Sequence, residues 1–176
     1  MRVRAAPAIT RQPQDTYAGT PPPMQELKLV ALDAEDLAVL SAHLQDAVLR
    51  VADMTYQRRA KRFAAIANRF DWECAAKAAG GKQAFMRRRS GLRFERVLDA
   101  KISDIDLDDK DAVLSLLALR FEPATAPGGY VTLLFSGGGA IRLEVECIEA
   151  ELRDLGAVWT TDRRPGHVED DPASGR

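Results

Sequence analysis

Residues 92–102 read Leu-Arg-Phe-Glu-Arg-Val-Leu-Asp-Ala-Lys-Ile. Leu92, Phe94, Leu98, Ala100 and Ile102 share one parity, against Arg93, Glu95, Asp99 and Lys101 on the other. A period of two places apolar side chains on one face of an extended strand and charges on the other. Ile141, Leu143 and Val145 alternate the same way with Arg142, Glu144 and Glu146. Ile66, Phe70 and Trp72 share parity against Arg69, Asp71 and Glu73, which predicts a further half-buried strand. Val113–Glu122 and Tyr130–Phe135 are apolar runs rich in strand formers. One dry and one wet face per strand indicates an antiparallel sheet. Ser136-Gly-Gly-Gly139 predicts the turn between the last two strands.

Helical spacing frames this β-rich block. Leu27–Leu32 reads as a short strand, and Asp33 can cap a helix by accepting from its free first-turn N–H groups. Leu37, Leu40, Leu44, Val48 and Val51 then form one stripe, predicting a helix over about 34–51. From Cys147 the spacing of Ile148, Leu152 and Leu155 predicts a short terminal helix, with Gly156 as its C-cap. The expected fold is α+β: a curved antiparallel sheet or partly open barrel, pleckstrin-homology-like in element order, with an N-terminal helix and a short C-terminal helix. Residues 1–24 hold five of the nine prolines and predict a disordered extension. The single domain is expected over 25–159, with a disordered tail over 160–176. Met24 is expected as the natural first residue.

No apolar run approaches the roughly 20 residues that span a bilayer, and no secretory leader is legible, so a cytoplasmic location is expected. Cys74 and Cys147 are too few for a disulfide scaffold and read as small apolar fillers.

Five stretches carry a resemblance. They are LKLVALDAEDLAVLSAHLQDAV (27–48), NRFDWE (68–73), RRRSGLRFERVL (87–98), KDAVLSLLALRFEP (110–123) and GGAIRLEVECIEAELRDLG (138–156). Together they resemble an alphaproteobacterial domain-of-unknown-function family, DUF2948. The resemblance implies a bacterial cytosolic protein beginning near Met24, and it implies no activity, cofactor or catalytic residue. The chain departs from that pattern at QRRAKR (57–62), which is more basic.

Chemistry-bearing patterns are sparse. Asp104, Asp106 and Asp108 occupy positions 1, 3 and 5 of a calcium loop, but Asp109 and Ser115 stand where Gly and Glu are required. Cys74, Cys147, His43 and His167 lack the paired spacing of a zinc site, and no nucleophile has a base at hand. The triple glycine leads into a strand rather than the helix a phosphate loop needs. No cofactor, metal site or catalytic residue is therefore expected.

Charge distribution is the informative feature. The chain carries a net charge of −1, yet residues 58–96 hold twelve basic residues against three acidic ones, a net of +9. Segments 24–57, 97–122 and 140–159 come to −4, −4 and −3. A hairpin of 62–73 with 84–96 would gather the cations on one ribbon. Arg87, Arg89 and Arg93 should point to solvent together, opposite Leu92 and Phe94. The expected function is a non-enzymatic binding or adaptor domain. Its partner-binding residues would be Arg58, Arg59, Arg62, Arg87, Arg89 and Arg93, and its partner an acidic protein surface or a nucleic acid. The rivals are a nucleic-acid binder proper, an enzyme with a site assembled from scattered residues, and an obligate oligomer. Against all of these stands pairing of the arginines with the protein's own acids.

Overall fold

The computed structural model describes residues 26–71 and 85–161. Asp33 behaves as its sequence position demands. Its carboxylate accepts from the Asp36 N–H at 2.8 Å and starts helix α1, Ala34–Leu44, which buries Leu37, Leu40 and Leu44. Before it lies strand β1, Lys28–Ala31.

The helix is shorter than its stripe implied. Asp46 turns the chain at a φ of 59°, and strand β2 runs Val48–Gln57. Val48 and Val51 fell on the helical stripe by coincidence. Leu49 and Val51, two apart, are the buried residues of a strand.

A 3-10 turn at Arg58–Ala60 leads into β3, Arg62–Phe70, and β4 follows at Phe85–Phe94. The remaining strands are β5, Val97–Ser103; β6, Val113–Pro123; β7, Gly129–Phe135; β8, Ala140–Val145; and β9, Ala150–Thr161. The glycine run makes the expected β7–β8 turn, with Gly137 and Gly138 at φ 82° and 91°. The long strand expected through 92–102 is broken at Arg96, φ 57°, which turns β4 into β5.

All pairings are antiparallel, in the order β1-β9-β4-β3-β2-β6-β7-β8-β5. The sheet has two blocks that meet where Val48–Arg50 pairs with Val113–Ser115. It is not closed, but its β5 end curls back toward the β2–β3 turn. The Val97 N–H donates to the Lys61 carbonyl at 2.8 Å, and the Tyr56 hydroxyl donates to the Leu98 carbonyl at 2.9 Å. α1 packs on β6, β1 and β3 and covers a continuous core that includes Phe63, Phe94, Leu116, Leu133, Leu143 and Leu152.

The predicted C-terminal helix is a strand. Ala150, Leu152 and Asp154 are buried, alternating with Glu151, Arg153 and Leu155. A polar residue in a core position concealed the period of two, and the spacing of Leu152 and Leu155 imitated a helix. Gly156, φ 76°, marks an irregularity in the β4–β9 register rather than a helix cap. The pleckstrin-homology-like closure by a terminal helix falls with it. The expected terminal extension and tail lie outside the described residues, apart from the end of β9.

Candidate functional site

Registers across β3, β4 and β9 define two faces. Inward rows run Phe63–Phe94–Ala150, then Ala65–Leu92–Leu152, then Ala67–Ser90 with Asp154, then Arg69–Arg88. The core face thus changes from aromatic to ionic toward one end. Arg69, Arg88, Asp71 and Asp154 are each at most 5% exposed, and Ser90 is fully buried. Arg69 donates to both oxygens of Asp154, Nε to Oδ1 at 3.0 Å and Nη2 to Oδ2 at 2.8 Å. The Ser90 hydroxyl reaches Asp154 Oδ1 at 2.6 Å, and the Leu27 N–H reaches Oδ2 at 3.0 Å. Arg88 Nε donates to Asp71 Oδ2 at 2.6 Å, and its Nη1 lies 3.7 Å from Asp154. Burial alone would raise the Asp154 carboxyl, but the donors from Arg69, Ser90 and Leu27 outweigh it and hold the group below the ordinary carboxylate value.

This cluster corrects the strand reading of 66–73. Arg69 and Asp71 were expected in water and are buried, while Ile66 faces outward and is half-exposed. Two cations and two anions inside satisfy one another, with no buried side-chain polar atom unpartnered among the described residues. The cluster is closed to solvent, so its chemistry is that of a structural tie joining β1, β9, β4 and β3.

The outward face of the same strands is a ladder of charges. Lys28 on β1 pairs with Glu151 on β9, Glu151 with Arg93 on β4, Arg93 with Glu95, and Glu95 with Arg62 on β3, all within 4.0 Å. Below it the side chains shrink. Ala64, Ile66 and Gly91 floor an open trough of about 320 Å³, which Thr55 and Leu155 flank. Leu155 is 48% exposed, and its methyls lie over Gly91.

The six expected partner-binding residues divide. Arg62 and Arg93 are rungs of the ladder and are neutralised. Arg58 and Arg59 are exposed on the β2–β3 turn beside Arg62, remote along the strands from Arg87 and Arg89. Arg87, Arg89 and Arg93 do share the outward face opposite Leu92 and Phe94, as parity required. Arg87 is half-buried and donates to the Asn68 carbonyl at 3.3 Å. Arg89 is exposed opposite Asn68, with no ion pair among the described residues.

Sequence reasoning missed Arg153. It sits opposite Gly91 in register, exposed and without an ion pair among the described residues, and it lines the trough. Its parity with Glu151 and Leu155 would have placed it there had 147–155 been read as a strand. Arg89, two residues before Gly91 on β4, and Arg153, opposite Gly91 on β9, are thus cations without an ion pair among the described residues, and Arg153 lies beside the apolar floor.

Elsewhere the acidic loop forms Asx turns. Asp106 accepts from the Asp108 N–H, and Asp109 from the Asp111 N–H. Cys147 and His43 are half-buried, and Cys74 lies outside the described residues. No helix among the described residues is long and apolar enough to cross a membrane.

A family model described as a protein of unknown function (DUF2948) matches residues 27–167. No curated protein and no solved structure matches the chain.

Proposed function

We propose that this chain, which belongs to the DUF2948 family of proteins of unknown function, is a non-enzymatic binding module that docks an acidic protein surface on the outward face of β9, β4 and β3. The observation that carries the reading is the sorting of charges on that face. Lys28, Arg62 and Arg93 each have a carboxylate within 4.0 Å, whereas Arg89 and Arg153 have none among the described residues, and Arg153 lines the apolar trough. An apolar centre with a polar, charged rim is the anatomy of a protein interface. A free guanidinium offers an approaching carboxylate a two-pronged donor set.

Nucleic acid fits the same face less well. Glu95, Glu151 and Asp53 would repel a polyanion.

The test is capture of partners from cell extract by the full chain, with and without nuclease, compared across two double variants. Arg89→Ser with Arg153→Ser should lose the captured protein and the salt dependence of its capture. Arg62→Ser with Arg93→Ser should retain both. Equal loss from the two variants, retention by the first, or loss on nuclease treatment would overturn the reading.

A further inference from the structure

In the first block one ladder alternates charge sign across β1, β9, β4 and β3, although Lys28 also stands in register with Arg153. The outward face of β5 and β8 places like beside like in two successive rows, one acidic and one basic. Asp99 pairs in register with Glu144, and Lys101 with Arg142. Directly opposed like charges destabilise an antiparallel pair. Exchanging the sign of one strand's pair would turn both rows into attractive contacts, and the chain does not do so.

Asp99, Glu144 and Lys101 have no ion pair among the described residues, and both carboxylates are half-buried. Arg142 is held in place: Nη2 donates to Glu122 at 3.0 Å, and its guanidinium lies 4.1 Å from the Tyr130 ring centroid. These residues surround a hollow of about 290 Å³. A second hollow of about 370 Å³ shares Tyr130 and Glu144 and lengthens it into a groove. Local arrangements that cost stability without local compensation collect at functional sites.

We infer that this groove is a binding site for a small zwitterion whose ammonium sits on the Asp99–Glu144 row and whose carboxylate sits on the Lys101–Arg142 row. Successive same-face positions on a strand lie roughly 6.5–7 Å apart, which sets the separation of the rows. A ligand with charges at about that separation spans both. An extended dipeptide, at roughly 3.3–3.6 Å per residue, has its termini so placed, and so does a five-carbon ω-amino acid. Tyr130 supplies an apolar wall for the chain between them. The site is separate from the trough of the first block and does not rest on the reading given for it.

Titration of ¹⁵N-labelled full-length protein tests this, with glycylglycine and 5-aminopentanoate as probes and pentylamine and pentanoate as single-charge controls. Both zwitterions should give saturable shifts of the Tyr130, Arg142 and Glu144 amides at millimolar concentration or below, and each control should bind at least tenfold more weakly. Glu144→Gln, which removes a charge but no ion pair, should weaken the zwitterions at least tenfold and leave the melting temperature within a few degrees of wild type. Absence of saturable shifts, equal binding by pentylamine, or undiminished binding by a folded Glu144→Gln protein would each overturn the assignment.

Discussion

Replacing Asp154 by alanine removes the acceptor at the centre of the buried cluster. Three donors lose their acceptor together, Arg69 Nη2, the Ser90 hydroxyl and the Leu27 N–H, and Arg69 Nε keeps only the Ser90 hydroxyl oxygen at 3.2 Å. Arg69 would then be a guanidinium with a side-chain exposure of 6% facing no carboxylate within 4.0 Å. Breaking one side of a buried ion pair costs about 3–5 kcal/mol, because the remaining charge is stranded. With a urea slope near 2 kcal/mol/M, within the roughly 1–3 range of small proteins, the unfolding midpoint should fall by about 1.5–2.5 M at unchanged slope. Removing both charges separates stranding from packing. Arg69→Met with Asp154→Leu leaves the Arg88–Asp71 pair and exchanges a desolvated pair for apolar volume, often a neutral change. The double variant should recover at least half of the loss. Urea denaturation followed by far-ultraviolet circular dichroism measures both. An Asp154→Ala cost under about 1 kcal/mol would refute the structural role, as would a double variant less stable than the single one.

Acid should act on the same group. A carboxyl held below its ordinary value contributes stability that is fully present above the unfolded value, about 3.9 for Asp, and is lost as pH falls through the lower folded one. Wild-type stability should therefore fall below about pH 4. The difference between wild type and Asp154→Asn should shrink in the same range, and a difference independent of pH would count against the assignment. Two glycines separate crowding from torsional strain. A Cβ on Gly129 would collide with the Glu122 carbonyl and lie 2.6 Å from the Phe121 ring, whereas one on Gly137 meets nothing within 4 Å. Gly129→Ala should cost about 1–3 kcal/mol. Gly137→Ala, strained only by its positive φ, should cost about 1 kcal/mol. Thermal melting should rank them in that order.

The sheet, the Asp33 cap, the β7–β8 turn and the outward set Arg87, Arg89 and Arg93 were legible because each rests on a local rule. Strand parity and capping need only neighbours in sequence. What was not legible rests on pairing between distant segments. Arg69 continues the inward parity of Phe63, Ala65 and Ala67, but alanine marks neither face, so Ile66 suggested the opposite register, while Phe70 is buried as expected. Arg88 continues the parity of Phe94, Leu92 and Ser90, yet an arginine in a core row is intelligible only once Asp71 and Asp154 stand opposite. The same absence of a partner in view made Asp154 look like the polar face of a helix.

The charge asymmetry along the chain acquires two meanings once β9 is seen to pair with β4. Of the ten cations between Arg58 and Arg96 in the described residues, six have a carboxylate within 4.0 Å: Lys61, Arg62, Arg69, Arg88, Arg93 and Arg96. Four of the acids that meet them, Glu146, Glu149, Glu151 and Asp154, come from the stretch that carried a net of −3. Most of the basic ribbon is therefore half of a pairing code, in which opposite charges favour the β4–β9 register and penalise slippage that would oppose like charges. Four cations remain, Arg58, Arg59, Arg87 and Arg89, of which Arg87 is half-buried and donates to the Asn68 carbonyl. Arg58 and Arg59 stand on a turn where no strand could match them. Arg89 stands in a strand, one register step beyond Gly91, with the neutral Asn68 opposite it on β3. The rung of Ala64, Arg93 and Glu151 carries a carboxylate, whereas the rung of Arg89 has a neutral neighbour on β3. That omission, more than the number of arginines, is the ground for proposing a docking surface at Arg89 and Arg153.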